Sequence, residues 1–154
     1  MAAKYWLVKS EPSAYSIDDL MHDKITHWDG VRNYQARNYM RDEMKLGDKV
    51  LFYHSNAEPI AVVGVCEVAK EGYPDFSAFD PEDKHFDPKS KIDSPTWIMV
   101  DIKIIEKFIR PVALDEIKGN SKLQNMKLVQ RGNRLSVMPI DKNEFNEIMK
   151  LSKK

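Results

Sequence analysis

Short apolar runs, several of them alternating with polar residues, indicate the strands of this chain. They are residues 5–9, 49–54, 60–68, 97–108 and 135–140. Turn-forming residues at 56–59 separate the second run from the third and predict a hairpin. Gly64 lies inside the third run, where a glycine often marks a β-bulge or a bend. Such a bend suits a small barrel.

Capping residues and helical spacing predict the helices. Ser16 and Asp19 have the spacing of a capping box, so a short helix is expected to begin near Ser16. Residues 33–44 contain no glycine or proline and are expected to form a second helix. A terminal helix is expected to follow Asp141. Its apolar residues fall near helical spacing and are Phe145, Ile148, Met149 and Leu151.

The order of these elements favours an α+β fold in one domain that covers residues 1–154. Short helical turns are predicted at 114–117 and 121–126, and the elements do not alternate as regular βαβ units. Residues 72–95 contain four prolines and form the longest irregular segment. We therefore expect a small, strongly bent β-barrel of about five or six strands with short helices packed around it.

The charge balance narrows the ways in which this chain could bind nucleic acid. Lys plus Arg total 24, Asp plus Glu total 24, and the net charge is zero. A protein that coats a duplex nonspecifically needs a basic excess, because neutralisation of phosphates dominates such binding. Any contact with nucleic acid is therefore expected to rest on a local basic patch or on a pocket for a base.

The composition predicts a protein of a reducing compartment that does not enter a membrane. Cys66 is the only cysteine, which excludes an internal disulfide framework. The first residues lack an apolar signal region, and no apolar run approaches the roughly 20 residues that span a bilayer. We expect a cytoplasmic protein, or a nuclear one if the source has a nucleus.

Sequence signatures of common catalytic and cofactor sites are absent. The chain contains neither a P-loop nor a Rossmann glycine pattern, and its four histidines do not have zinc-ligand spacing. No serine lies in a nucleophile elbow. We therefore expect no catalytic residue, no metal ion and no cofactor.

Three segments at predicted strand ends combine aromatic and polar side chains. They are KSEP at 9–12, the sequence WDGVRNYQARNYMR at 28–41, and FYHS at 52–55. A site that reads a nucleobase needs a ring for stacking, worth about 1–3 kcal/mol per base, and fixed hydrogen-bonding groups for the base edge. Each aromatic residue taken alone also fits a place in the core, but its polar neighbours favour a site.

A fourth segment places Arg131 and Arg134 around Gly132, ahead of the last strand. Arginines beside a glycine can clamp phosphates, because the glycine lets the backbone approach closely. A charged β-turn accounts for the same residues equally well, and both interpretations stay open.

These segments belong to a series of long motifs that carries a family resemblance. The motifs are YWLVKSEP at 5–12, WDGVRNYQARN at 28–38, FYHS at 52–55, GVCEV at 64–68 and QRGNRLSV at 130–137. In this order they cover nearly all of the chain and resemble the EVE domain family of the PUA-like superfamily. The resemblance implies a PUA-like β-barrel with a pocket suited to a modified nucleobase.

The resemblance also implies a set of pocket residues. Trp28 is expected to form one wall, and Asn33 is expected to read the base edge. Phe52, Tyr53 and Ser55 are expected to line the opposite side. The full predicted ligand-binding set is Ser10, Glu11, Trp28, Val31, Arg32, Asn33, Phe52, Tyr53, His54, Ser55, Arg131, Arg134 and Ser136.

The leading functional hypothesis is a non-enzymatic module that recognises a modified base in DNA or RNA, with a protein partner supplying any effector activity. One alternative is an enzyme acting on a modified nucleotide or base, with Glu11 or His54 as general base. Another alternative is a protein-interaction module in which the irregular segment 72–95 docks a partner.

Overall fold

The computed structural model describes residues 3–154, which form one six-stranded mixed sheet with short helices between the strands. The strands are β1 (Tyr5–Ser10), β2 (Ile25–Trp28), β3 (Lys49–His54), β4 (Ala61–Pro74), β5 (Ile98–Ala113) and β6 (Val137–Ile140). The α-helices are α1 (Ile17–Asp23), α2 (Tyr34–Asn38), α3 (Leu114–Lys118) and α4 (Lys142–Leu151). The predicted α+β class is confirmed.

The order of the strands across the sheet is β2-β5-β4-β3-β1-β6. Strands β1 and β3 are parallel, and the other neighbouring pairs are antiparallel. In the β1–β3 pair, Ser10 lies opposite His54, so both strands end at the same place. Polar residues that follow two neighbouring strands are thereby brought to one edge of the sheet.

Strand β2 was not predicted, and strands β4 and β5 extend beyond the predicted runs. The four residues of β2 pair with β5, from Ile25 opposite Lys103 to Trp28 opposite Val100. A strand this short gives little periodic signal, and its pairing partner lies more than 70 residues away in the sequence. This pairing holds Trp28 in place, and the chain then continues into the site described below.

The predicted irregularity at Gly64 is present. The register between β4 and β5 shifts between Val62 and Gly64. A Cβ atom at Gly64 would lie 2.7 Å from the Glu106 carbonyl oxygen and 2.8 Å from Ile17 Cδ1. A side chain does not fit there, so the glycine permits close packing of β5 and α1 against the bulged strand.

Local hydrogen bonds explain where the helices begin. Ser16 and Asp19 form the predicted capping box before α1: Asp19 N donates to Ser16 Oγ (3.0 Å) and Ser16 N donates to Asp19 Oδ2 (2.8 Å). Asn33 caps α2, since its Oδ1 accepts from Ala36 N at 3.0 Å. The predicted helix 33–44 is thus divided into α2 and a π-helical turn, Tyr39–Glu43.

Three 3₁₀ turns complete the regular structure of the described residues. They are Phe76–Phe79, Ser121–Leu123 and Lys127–Val129. The last two replace the single helical turn that was predicted at 121–126. Phe76–Phe79 lies inside the segment 72–95 that the sequence marks as irregular.

The core consists of two apolar clusters, because the strands bury both of their faces. Phe52 belongs to one cluster together with Trp6 and Val8. Tyr53, the next residue on β3, belongs to the other cluster, where Phe145 of α4 also packs. Neighbouring residues of a strand point to opposite faces, so Phe52 and Tyr53 cannot line the same wall. Among residues 3–154, no helix has the length and hydropathy needed to cross a bilayer.

Candidate functional site

A cavity of about 950 Å³ opens beside the ends of β1 and β2. Its wall consists of residues from 9–15, 23–32 and 82–85, together with Ser136. This volume is at the upper end of the range of roughly 300–1,000 Å³ for small-molecule sites. Six predicted residues line it, namely Ser10, Glu11, Trp28, Val31, Arg32 and Ser136.

Trp28 supplies the aromatic surface of the cavity. Its indole is 8% exposed and meets the rings of Phe52 and Tyr15 edge-on, at centroid distances of 5.4 and 6.4 Å. Burial and a hydrogen bond to Asp23 (2.7 Å) raise the pKa of Tyr15 to about 12, so its hydroxyl stays protonated. Two edge-on neighbours fix the plane of the indole before any ligand binds.

The turn after Trp28 is held by a buried carboxylate, Asp75. One oxygen, Oδ2, accepts from Gly30 N (2.8 Å) and from Arg32 Nη1 (3.0 Å). The other, Oδ1, accepts from the amide and the hydroxyl of Ser77 at 2.8 and 2.6 Å. Burial alone would raise the pKa of Asp75, but the hydrogen bonds from Ser77, Gly30 and Arg32 hold it below its ordinary value. We call Gly30, Arg32, Asp75 and Ser77 the Asp75 clamp.

The opposite wall is the loop 82–85, which is bound to the Asp75 clamp through Arg32. The carbonyl oxygen of His85 accepts from Arg32 Nη2 at 2.6 Å and from Arg32 Nε at 3.2 Å. A Cβ atom at Gly30, where φ is +77°, would lie 2.6 Å from the His85 ring. Only glycine therefore allows the turn and the loop to approach this closely. Part of the irregular segment 72–95 is thus a fixed wall of the cavity.

Two charged residues of the cavity wall, Asp29 and Lys9, do not have hydrogen-bonding partners among residues 3–154 of the kind that Asp75 has in its clamp. Asp29 is half-buried, and its carboxylate accepts no hydrogen bond from another of the residues 3–154. Lys9 is also half-buried; its ammonium forms no ion pair with residues 3–154 and lies 5.8 Å from the Tyr53 ring centroid. Burial, and then the nearby charge of Asp75, raise the pKa of Asp29, while burial lowers the pKa of Lys9. Both groups are costly to leave without a partner.

The predicted polar contacts at the end of β1 are bonded within the protein. Ser10 Oγ donates to the carbonyl oxygen of Tyr15 at 2.6 Å. Glu11 is exposed and accepts from Asn56 Nδ2 at 3.2 Å. The carbonyl oxygen of Ser136 accepts from Lys9 N at 2.9 Å, which joins the start of the last strand to the cavity.

The predicted segment 52–55 lies behind the cavity wall. Phe52 is fully buried against Trp28, and Tyr53 faces the other apolar cluster. His54 Nε2 accepts from Ile17 N at 3.1 Å, and burial lowers the pKa of its ring, so the neutral imidazole caps α1. Ser55 N donates to the carbonyl oxygen of Ser10 at 3.0 Å. These four residues support the wall and do not line it.

The remaining predicted residues line a second, shallower depression of about 400 Å³. Arg131 and Arg134 are exposed there, and their guanidinium groups form no hydrogen bond or ion pair within residues 3–154. Gly132 between them has a φ of +81°, as the tight turn requires. Asn33 also lines this depression, with its Oδ1 engaged as the cap of α2.

The two concave surfaces are neighbours. Arg32 lines the cavity and Asn33 the depression; likewise Ser136 lines the cavity and Leu135 the depression. Residues that follow each other in the chain thus line the two concave surfaces at two points. Within residues 3–154, no group of three or more potential ligands is placed to hold a metal ion.

The sequence prediction missed several residues of the cavity wall. The charged ones are Asp23, the loop residues 82–84, and Lys9 and Asp29, which lie in the marked segments but outside the predicted binding set. The aspartates of the segment 80–87 are its only local signal, since Asp80, Asp83 and Asp87 each accept a hydrogen bond from a nearby backbone amide. Such turns predict an ordered loop, but they do not predict where it packs.

Comparison with known proteins agrees with this architecture. Rat thymocyte nuclear protein 1 is 42% identical over 168 residues, covering 97% of this chain and 74% of the relative. A hypothetical protein from Leishmania major superposes with a TM-score of 0.93 at 46% identity, over 99% of this chain and 96% of its own. Human THYN1, in a crystal structure with DNA containing 5-methylcytosine, gives a TM-score of 0.92 at 39% identity, over 99% of each chain.

The family resemblance of the sequence motifs is confirmed by these matches, as is the PUA-like fold that it implied. The EVE domain model matches residues 4–151, which is nearly the whole chain. This chain therefore belongs to the EVE domain family.

Proposed function

We propose that this protein is a non-enzymatic reader that takes a modified base of a nucleic-acid strand into the cavity beside Trp28. The observation that carries the proposal is the cavity itself, in which a fixed indole lies next to Asp29, a half-buried carboxylate that accepts no hydrogen bond from another of the residues 3–154. A ring and a few fixed polar groups are the requirements for reading an unstacked base.

The depression beside the cavity supports the same function. A base that enters the cavity remains attached to its phosphates, which need cationic partners outside. Arg131 and Arg134 are exposed, are unpaired within the described residues, and line the depression to which Asn33 and Leu135, the chain neighbours of the cavity residues Arg32 and Ser136, also belong. Two local arginines are sufficient for such contacts and are compatible with a net charge of zero.

The human relative indicates which modification to test first. Human THYN1 was crystallised with DNA that contains 5-methylcytosine. We extend that ligand to this chain as the leading candidate, with modified adenine and RNA as further arms of the test. The name of the rat and human relatives also leads us to propose a nuclear location in a source that has a nucleus.

The two alternative functions have less support from the site. A general base needs a free acceptor within reach of the ligand, but His54 Nε2 accepts from Ile17 N and His54 lies outside the cavity wall. The segment 72–95 contributes the carboxylate of the Asp75 clamp and the loop 82–85, so much of it is committed to the cavity.

The test is a binding series with single-stranded and duplex oligonucleotides that differ at one central base. The series contains cytosine, 5-methylcytosine, 5-hydroxymethylcytosine, adenine and N6-methyladenine, in DNA and in RNA. We expect at least one modified base to bind several-fold more tightly than its unmodified form, because an extra methyl group contributes about 1–3 kcal/mol in an apolar pocket.

Two matched variants assign the binding to the cavity. Trp28→Leu removes the stacking ring and is expected to abolish the preference for the modified base. Phe145→Leu is the control, because Phe145 is 9% exposed, close to the 8% of Trp28, but lies in the other apolar cluster. Equal binding of every oligonucleotide by the wild type and Trp28→Leu would reject the proposed function.

A further inference from the structure

The charges of the cavity wall are unusual for a nucleic-acid site, because acidic side chains outnumber basic ones. Five carboxylates line the cavity, against three cationic side chains, with His27 and His85 in addition. The acidic residues are Glu11, Asp23, Asp29, Glu82 and Asp83, and the basic ones are Lys9, Arg32 and Lys84. Such a wall repels phosphate and attracts groups that donate hydrogen bonds.

Four of these eight charged side chains already have partners among residues 3–154. Asp23 accepts from Tyr15 Oη at 2.7 Å, and Asp83 Oδ1 accepts from His85 N at 2.8 Å. Glu11 accepts from Asn56 Nδ2 at 3.2 Å, and Arg32 is bound by the Asp75 clamp.

Two of the five carboxylates, Asp29 and Glu82, accept no hydrogen bond from another residue among 3–154. Glu82 is exposed, so water can solvate its carboxylate. Asp29 is half-buried, and it follows Trp28 directly in the chain. Asp29 is therefore the acceptor in this wall that most needs a donor from a ligand.

We propose that Asp29 determines base specificity by accepting a hydrogen bond from the exocyclic amino group of the bound base. This inference rests on the proposed function and names the class of base that the same site takes. The cavity then selects cytosine and adenine derivatives, which carry an amino group. It rejects thymine and uracil derivatives, which present a carbonyl oxygen at that position.

The chemistry of the carboxylate agrees with this assignment. The edge of a cytosine or an adenine presents an amino group, which donates hydrogen bonds. The Lys9 ammonium takes no part, because it lies over the ring of Tyr53, which packs in the apolar cluster on the other face of β3 from Phe52 and Trp28. With thymine, the Asp29 carboxylate would face a carbonyl oxygen, and two acceptors repel each other.

The pair of 5-methylcytosine and thymine tests this inference directly, because both carry the same methyl group at C5. They differ at position 4, where one has an amino group and the other an oxygen, and in the protonation of N3. We expect the wild type to bind a single-stranded oligonucleotide with one 5-methylcytosine about 10- to 100-fold more tightly than the matched thymine oligonucleotide. Single strands remove any difference in base pairing.

The variant Asp29→Asn keeps the size of the side chain but can present either an amide donor or a carbonyl acceptor to the base. We expect it to reduce the ratio of the two affinities to about threefold or less, chiefly by improving thymine binding. Asp93→Asn removes one negative charge from an exposed position outside the cavity wall and should leave the ratio unchanged. An equal fall of the ratio in both variants would mean a general charge effect and would overturn the assignment.

The remaining outcomes separate this inference from the proposed function. If the wild type prefers 5-methylcytosine over cytosine but binds thymine equally well, the cavity reads the methyl group alone and the inference is wrong. The inference is also wrong if Asp29→Asn keeps the wild-type ratio of 5-methylcytosine affinity to thymine affinity. If the wild type binds all three oligonucleotides equally and Trp28→Leu changes nothing, the proposed function itself has failed.

Discussion

The Asp75 clamp and the wall of the adjacent cavity contain the same kinds of charge but use them differently. In the clamp, the buried carboxylate of Asp75 accepts four hydrogen bonds, from Gly30, Arg32 and Ser77. In the cavity wall, Asp29 is half-buried, and its carboxylate accepts no hydrogen bond from another of the residues 3–154. A satisfied buried charge fixes the backbone, whereas an unsatisfied one remains free for a ligand. We therefore assign the clamp to architecture and the wall to recognition.

The largest expected effect follows from breaking the clamp. Asp75→Ala leaves the amide of Gly30, both donors of Ser77 and the Arg32 guanidinium without their acceptor. Removing one partner of a buried ion pair typically costs about 3–5 kcal/mol, so we expect a loss of that size in the free energy of unfolding. Denaturant titration measures it.

The control for this variant is Asp93→Ala, because Asp93 is an exposed aspartate in the same part of the chain. It should change the free energy of unfolding by less than about 0.5 kcal/mol. If the free energy of unfolding of Asp75→Ala equalled that of Asp93→Ala, the hydrogen bonds of the clamp would not stabilise the fold.

An intermediate effect, on binding and not on stability, is expected at the depression. The double variant Arg131→Ala with Arg134→Ala removes two exposed guanidinium groups that have no partner within residues 3–154. Each phosphate contact adds about 0.7 to the salt dependence of binding to a single strand, so the slope of log affinity against log salt should fall by about 1.4.

The preference for a modified base over its unmodified form should not change in this double variant, because phosphate contacts carry no direct base information. Unfolding should also be unaffected. A lost base preference with an unchanged salt slope would mean that these arginines read the base and not the backbone.

The smallest effect concerns Asp29 and Asp75, whose pKa values are shifted in opposite directions. Hydrogen bonds lower the pKa of Asp75, so its stabilisation is complete above the ordinary Asp pKa and is lost as the pH falls through its lowered value. Burial and the Asp75 charge raise the pKa of Asp29, against the smaller opposing influence of His27 and His85. The ionised form of Asp29 therefore disfavours folding, and this penalty appears as the pH rises through the range between the unfolded and folded pKa values.

Asp29→Asn removes that penalty. We expect its free energy of unfolding at pH 7 to equal or exceed that of the wild type, with the difference decreasing below about pH 4. Denaturant titrations at several pH values measure the difference. A variant that is clearly less stable at pH 7 would mean that the Asp29 carboxylate stabilises the fold and is not held for a ligand.

The parts of the fold that the sequence predicts are those with a local cause. Ser16 with Asp19, and Asp141, mark helix starts within a few residues, and α1 and α4 begin directly after Ser16 and Asp141. Strand β2 was missed because four residues carry no clear period and their pairing with β5 is a long-range contact. The ends of β4 and β5 were missed for the same reason, since each extension pairs with a distant part of the other strand: Lys70 lies opposite Asp101, and Ala113 lies opposite Ala61.

The candidate site shows the same limit. Local polar and aromatic clusters are visible in a sequence, and the marked segments include residues that line the cavity at the ends of β1 and β2. Burial is not visible there, so Asp29 could not be told apart from its exposed neighbours. The sequence also does not show where the cavity lies. It therefore could not show which of Phe52 and Tyr53, on opposite faces of β3, is on the side of the cavity.

A crystal structure of this protein with a short single-stranded DNA that contains one 5-methylcytosine tests the central claim most directly. We predict that the methylated base lies in the cavity against the Trp28 indole, with its amino nitrogen within about 3.2 Å of an Asp29 oxygen. The backbone phosphates should approach Arg131 and Arg134. A methylated base bound elsewhere, with the cavity beside Trp28 occupied only by water, would contradict the account.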